Sequence, residues 1–273
     1  MPRFTASRFV LIACAALALG GCQNFGDVTG SISSSSQMPT DEVGLRTYAD
    51  HWGKIYGDHP GEKVSSITYA KALRALTRYK EAAAVMQAAA AKSPKDFQIL
   101  GEYGKALADV GELQQARDVL SHSYPADRPD WRLLSAQGSV ADRLDDHAGA
   151  QQFYQAALKI VPDEPSVLSN LGLSFALSTQ LGEAERTLRV AVDQPKADSR
   201  VRQNLALVLA LEGKFGEAEQ VSAKDMSPED ARSNVASIRA MIAQNDSWRA
   251  IQRGATKRSA KTQAAAGGAA PQG

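Results

Sequence analysis

The stretch Leu168–Leu188, LSNLGLSFALSTQLGEAERTL, decides the fold. Its apolar residues recur at helical spacing, yet Gly172 sits inside the first run. Ala184 falls twelve residues later in the second run, after a glycine-containing break at Leu181 to Glu183. A glycine inside a helix costs about 1 kcal/mol relative to alanine, so a neighbouring element must compensate. Close approach of a second helix does this. Stepping by 34 residues from Ala184 meets Ala82, Ala116, Ala150 and Ala218, and the same step from Gly172 meets Ala70, Gly104, Gly138 and Ala206. Two small residues at fixed phase therefore mark a repeating pair of helices.

The repeat sets five units, 63–96, 97–130, 131–164, 165–198 and 199–232, with the small residues at positions 8 and 20. An acid precedes each first helix: Glu62, Asp96, Asp130, Glu164 and Asp198. Such a side chain accepts from orphan backbone N–H groups and opposes the helix dipole. Pro94 and Pro162 share position 32, while the other units lack that proline. A distorted turn is expected near Tyr124 to Pro129.

A 34-residue helix pair with small residues at these two positions resembles the tetratricopeptide repeat. The resemblance implies an all-α superhelix of about five helix-turn-helix units, with position 24 packing against the next unit and helix A lining a concave face. Position 24 carries Met86, Leu120, Tyr154, Leu188 and Ser222. The array needs sealed ends. An N-terminal capping helix is predicted within 41–62, presenting Val43, Tyr48, Trp52 and Ile55. A C-terminal one is predicted over 233–253, starting near 228, with Ser227 and Pro228 opening it and Ala231, Val235, Ile238, Met241 and Ile242 on one face.

Ahead of the array, Arg3 and Arg8 precede an apolar run from Phe9 to Leu19, in the order of a secretory signal. The run is too short to span a bilayer, which takes about 20 residues. It ends in Leu19-Gly20-Gly21-Cys22, which resembles the lipobox of bacterial lipoproteins. Residues 1–21 are then a signal peptide, Cys22 is the acylated residue, and 22–40 is a serine-rich tether. Gln23, rather than Asp, after the cysteine implies sorting to the outer membrane by analogy with that class. Cleavage removes Cys14 and blocks Cys22, so neither a free thiol nor a disulfide is expected. It also leaves 29 basic against 30 acidic residues. Residues 254–273 read as a disordered basic tail, either solubilising or touching anionic lipid or cell-wall polymer.

The formal charge of +1 over 273 residues argues against nucleic acid as a partner. His51, His59, His122 and His147 lack metal-ligand spacing, and neither a phosphate-binding loop nor a nucleophile motif is present. No enzyme activity and no cofactor are expected beyond the covalent lipid on Cys22. Recognition then falls to the concave slots of helix A. These hold Lys71, Arg74, Lys105, Arg132 and Arg143 in the first three units, then Leu173, Leu177, Leu207 and Leu211. The groove should pass from basic to apolar. Asn170 and Asn204 share position 6, where an amide either pairs with the backbone of a bound peptide or holds a neighbouring loop. The leucines serve partner contact or inter-helix packing, and the basic slots serve binding or solvation.

The runs DWRLLSAQGSVADRLDDHAGAQQFYQAALKIVPDEPSVLSNLGLSFALS, VRQNLALVLALEGKFGEAE and SNVASIRAMI are similar to the TadD family of lipoproteins from tight-adherence (Flp) pilus assembly. The likeness covers about 41–242 plus the lipobox. It implies a pilotin-like scaffold on the periplasmic face of the outer membrane, binding the secretin or another pilus subunit. An adaptor lipoprotein that recruits cell-wall hydrolases or aids outer-membrane protein assembly is the alternative.

Overall fold

The computed structural model describes residues 38–244. The expected signal peptide 1–21, Cys22, most of the tether, the end of the 233–253 helix and the 254–273 tail lie outside the described residues. Among the described residues there are twelve helices and no strand. Helix α1 (Glu42–Asp58) comes first. Five hairpins follow: α2 (Lys63–Ala75) with α3 (Tyr79–Lys92), α4 (Phe97–Val110) with α5 (Leu113–Ser121), α6 (Trp131–Arg143) with α7 (His147–Ile160), α8 (Pro165–Leu177) with α9 (Leu181–Val192), and α10 (Ser199–Leu211) with α11 (Phe215–Ser222). Helix α12 occupies 228–244.

Each A helix starts where its acid predicts. Glu62 accepts from the N–H groups of Val64 and Ser65, Asp96 from Gln98 and Ile99, Asp130 from Arg132, Glu164 from Ser166 and Asp198 from Val201. Backbone N–H bonds hold the Glu62 carboxyl below its ordinary range. Asp96 is lowered first by the hydrogen bond from Lys63 Nζ at 2.8 Å, which ties the start of unit one to the start of unit two. A second periodic device ends the A helices. Thr77, Gly111, Asp145, Thr179 and Gly213, each 34 residues from the next, hold positive φ of 60°, 93°, 63°, 63° and 81°. The following N–H reaches back across the turn in all five units, from Arg78 to Leu73 O through Lys214 to Leu209 O.

The small residues lie where the two helices of a unit touch. Ala82, Ala116, Ala150, Ala184 and Ala218 are fully buried. A Cβ added to Gly104 would lie 2.5 Å from Leu120 Cγ, at Gly138 2.6 Å from Tyr154 Cε1, and at Gly172 2.6 Å from Leu188 Cγ. Position 24 therefore fills the space left by position 8 of its own unit and, as expected, also packs on the next unit, where Leu120 joins Leu133 and Val140, and Leu188 joins Leu205 and Leu209. Where position 8 is alanine, as in Ala70 and Ala206, position 24 is the flexible Met86 or the short Ser222. Gly172 is present because Leu188 occupies the volume a methyl group would need.

The backbones of consecutive A helices approach closely, while those of consecutive B helices stand farther apart, α9 and α11 being bridged by the Arg189–Glu217 ion pair at 2.6 Å. Closer spacing on the A side curves the stack and makes the A-helix face concave. Apolar clusters run from unit to unit, from Leu73 and Met86 through Ile99, Leu120 and Val140 to Tyr154, Leu171, Leu188 and Leu209. Val235 and Ile238 of α12 close the last cluster, whereas Met241 is exposed. At the other end α1 buries Leu45, Tyr48 and Ala49, while Val43 is 76% exposed. The helical register places Leu45 and Ala49 with Tyr48 on the inward face, three to four residues apart, and turns Val43 away.

Unit two departs from the repeat. Its B helix has only 9 residues, against 14 in α3 and α7 and 12 in α9, and is shorter than every B helix but the last, α11, which has 8. After Ser121 the chain leaves the helix, and Pro125 and Pro129 prevent its continuation. Tyr124 from this connection donates to Gln137 Oε1 at 2.6 Å and packs on the clusters of both neighbouring units. The distortion expected at Tyr124 to Pro129 is thus a filled corner between units two and three.

Candidate functional site

The concave face is built by α2, α4, α6, α8 and α10. In its first half Lys71, Arg74 and Lys105 surround one carboxylate. Glu102 lies 3.7 Å from Lys71 Nζ, 3.6 Å from Arg74 Nη1 and 3.1 Å from Lys105 Nζ. Arg74 Nε also donates to Asp109 Oδ2 at 2.5 Å. The expected basic surface is therefore an ion network in this region. The sequence reading placed the cations in the concave slots and passed over Glu102 and Asp109 at positions 6 and 13 of unit two. The signal that could have found them is spacing: Lys71–Glu102 and Arg74–Asp109 are 31 and 35 residues apart, close to one repeat. Arg132 behaves differently. Its guanidinium lies 4.3 Å over the Trp131 ring and has no carboxylate partner among the described residues. Arg143 donates to Ala108 O at 2.5 Å, crossing from unit three to unit two.

The second half is amide and leucine. Asn170 Nδ2 donates to Ser135 Oγ at 3.2 Å, and Asn204 Nδ2 donates to Ser169 Oγ at 2.9 Å. Each bond joins an A helix to the A helix before it, at the same two positions of successive units. The amides thus hold neighbouring helices, not loops. Each makes one hydrogen bond, and its Oδ1 accepts none from the described residues. Leu173 and Leu207 are half-buried, while Leu177 is 58% exposed and Leu211 40%. The outer pair stands open one turn further along each A helix than the half-buried inner pair.

Between the halves lies a largely buried carboxylate that the sequence reading missed. Asp142 Oδ1 accepts from Ser174 Oγ at 2.7 Å and from His147 Nδ1 at 2.9 Å, and Oδ2 accepts from Tyr154 OH at 3.1 Å. Serine, histidine and aspartate meet here, but the hydroxyl and the imidazole both bond the carboxylate. The serine therefore has no base to activate it. Burial first, then the adjacent Asp142 charge, pushes the Tyr154 phenol far up, so it stays a neutral donor. The cluster fastens unit three to unit four. Among the described residues no three His, Cys, Asp or Glu side chains converge as metal ligands.

At the junction of units one to three the face deepens into a cavity of about 530 Å³. Lys71, Glu102, Lys105 and Arg132 line it together with Tyr124 and Arg128 of the irregular connection. The connection contributes residues that no repeat position predicts.

The profile of the tetratricopeptide repeat matches residues 66–138. No curated protein sequence matches the chain. Among solved structures, one chain of the APC/C hetero-tetramer Cut9–Hcn1 is similar at 14% identity and a TM-score of 0.60 over 74% of this chain. The match spans 40% of that chain's length. A tetratricopeptide repeat protein from Parabacteroides merdae is 15% identical with a TM-score of 0.52, over 66% of this chain and 72% of its own. YrrB, described as a TPR protein with an unusual peptide-binding site, is 16% identical with a TM-score of 0.47, over 68% of this chain and 99% of its own. At these identities the likeness is one of fold. The helical hairpins, their 34-residue phase and their inward-curving A face make the array an all-α tetratricopeptide-repeat superhelix, a scaffold suited to binding other proteins.

Proposed function

We propose that the chain is a non-enzymatic scaffold lipoprotein of tight-adherence (Flp) pilus assembly. Acylated at Cys22, it is held at the periplasmic face of the outer membrane and captures the secretin or another pilus-machine subunit in its concave groove. The pilus reading draws on the sequence similarity across 41–242 and on the Leu19–Cys22 lipobox. The binding role is carried by one observation: Leu177 and Leu211 stand exposed two helical turns along the same face from the amides of Asn170 and Asn204, whose Oδ1 atoms accept nothing from the described residues. Exposed apolar anchors on one face with open acceptors suit a peptide docking by its side chains and its backbone N–H groups.

Replacing Cys22 by serine tests the anchor and the partner together. The variant is expected to lose its lipid mass, leave the outer-membrane fraction and lower the yield of secretin multimers. Normal fractionation and normal pili with Cys22→Ser refute the anchored-scaffold reading. Co-purification of cell-wall hydrolases in place of pilus subunits, with a septal defect on deletion, selects the adaptor alternative.

A further inference from the structure

We propose that the cavity at the junction of units one to three is a subsite for an acidic segment of the partner, one that carries an apolar side chain beside its carboxylates. The inference rests on the groove-binding reading above and names the chemistry of the groove's N-terminal half. The site is a product of the irregular connection. With α5 ending at Ser121, Tyr124 and Arg128 line a space of about 530 Å³ within the concave face. That volume lies within the roughly 300–1,000 Å³ common for ligand pockets.

Charge selects the ligand. Around the cavity stand five cations, Lys71, Arg74, Lys105, Arg128 and Arg132, against three carboxylates, Glu102, Asp109 and Asp130. Glu102 and Asp109 are held inside the lysine and arginine network, and Asp130 caps α6. Arg128 and Arg132 are exposed and have no carboxylate within 4.0 Å among the described residues. Two unpaired guanidinium forks are suited to carboxylates, which they bind with paired, charge-assisted hydrogen bonds.

The apolar lining sets the second requirement. Phe97 is 46% exposed, and Ile67 and Leu133 complete the wall beneath the cations. An exposed aromatic ring in a recess favours an apolar anchor, and desolvation around that anchor strengthens the neighbouring ion pairs. A nucleic acid or a lipid surface would call for a broad basic face. The chain carries a formal charge of +1, and here the cations ring a recess of side-chain size.

The experiment is an array of short immobilised peptides of randomised sequence, probed with the full Cys22→Ser chain so that no acyl group contributes. Captured peptides should be enriched in Asp and Glu adjacent to Leu, Ile, Phe or Trp. Arg128→Gln with Arg132→Gln should lower their capture about tenfold, and the double Glu variant should abolish it, while Leu177→Asp reduces capture of a separate, apolar set. Circular dichroism confirms that each variant stays helical. Capture without acidic enrichment, or acidic capture indifferent to both arginine variants, overturns the subsite. If capture is lost only with Leu177→Asp, the groove reading stands and the acidic subsite falls. No capture by the parent chain overturns both. Vesicles containing phosphatidylglycerol form the second arm: arginine-dependent vesicle binding without acidic-peptide capture assigns the cations to lipid and overturns the inference.

Discussion

Gly172→Ala is the substitution whose outcome follows most directly from the packing. The added Cβ would lie 2.6 Å from Leu188 Cγ and 3.2 Å from both of its Cδ atoms. Leu188 is fully buried in the cluster shared by units four and five, so it has no solvent side to move toward. Overpacking of this kind costs about 1–3 kcal/mol, whereas alanine in place of helical glycine returns about 1 kcal/mol. A net loss of about 1 kcal/mol is expected, read as a fall in Tm of about 2–4 °C for an array of this size. Unit one supplies the compensating change, because there alanine at position 8 faces methionine at position 24. Gly172→Ala with Leu188→Met should recover most of the loss, and the double-mutant cycle should show a coupling of about 1 kcal/mol or more. Thermal and urea unfolding followed by far-ultraviolet circular dichroism measures all four forms. If Gly172→Ala alone leaves Tm unchanged or raises it, the close helix approach does not explain the glycine.

Three further outcomes are expected. Thr179 is exposed, makes no side-chain hydrogen bond with the described residues and holds φ at 63°. Thr179→Gly, like its repeat equivalent Thr77→Gly, should therefore raise stability by about 1 kcal/mol through relief of left-handed strain, and a lowered urea midpoint refutes this. Glu62 and Asp96 have carboxyls held below their ordinary 4.5 and 3.8, so their stabilising effect is complete above those values and fades as pH falls through the lower folded values. Unfolding midpoints should decline below about pH 4.5, and Asp96→Asn should be less stable near neutrality with a shallower acid decline. A parallel shift at every pH refutes the lowered Asp96 carboxyl. Asn170→Ala with Asn204→Ala removes two inter-unit hydrogen bonds, each contributing about 1 kcal/mol, and should lower Tm by a few degrees while also weakening partner capture. Lowered Tm with undiminished pull-down would assign the amides to structure alone.

The site divides by how each residue acts. Leu177 and Leu211 were legible because exposure on a helix follows from register, and an A-helix slot predicts its own direction. Lys71, Arg74 and Lys105 were placed correctly on α2 and α4, but their electrostatic state depends on Glu102 and Asp109, which approach only when units one and two stack. Asn170 and Asn204 were equally visible as a periodic pair. Their bonds to Ser135 and Ser169 required the distance between adjacent A helices.

By itself, the sequence determined the repeat length and the helix starts. Each of these is local: a small residue at fixed phase and an acid before the first turn act within one hairpin. Also written there, though passed over, was the left-handed turn residue at 77, 111, 145, 179 and 213, disguised because only Gly111 and Gly213 carry the usual side chain for that φ. Only the tertiary structure decided which charges are paired, that Asp142 bonds Ser174, His147 and Tyr154 across two units, and that the broken helix of unit two opens a cavity beside Arg128 and Arg132. The Lys71–Glu102, Arg74–Asp109 and Asp142–Ser174 contacts join residues about one repeat apart. Their geometry is set by the curvature of the stack, which no single 34-residue unit contains.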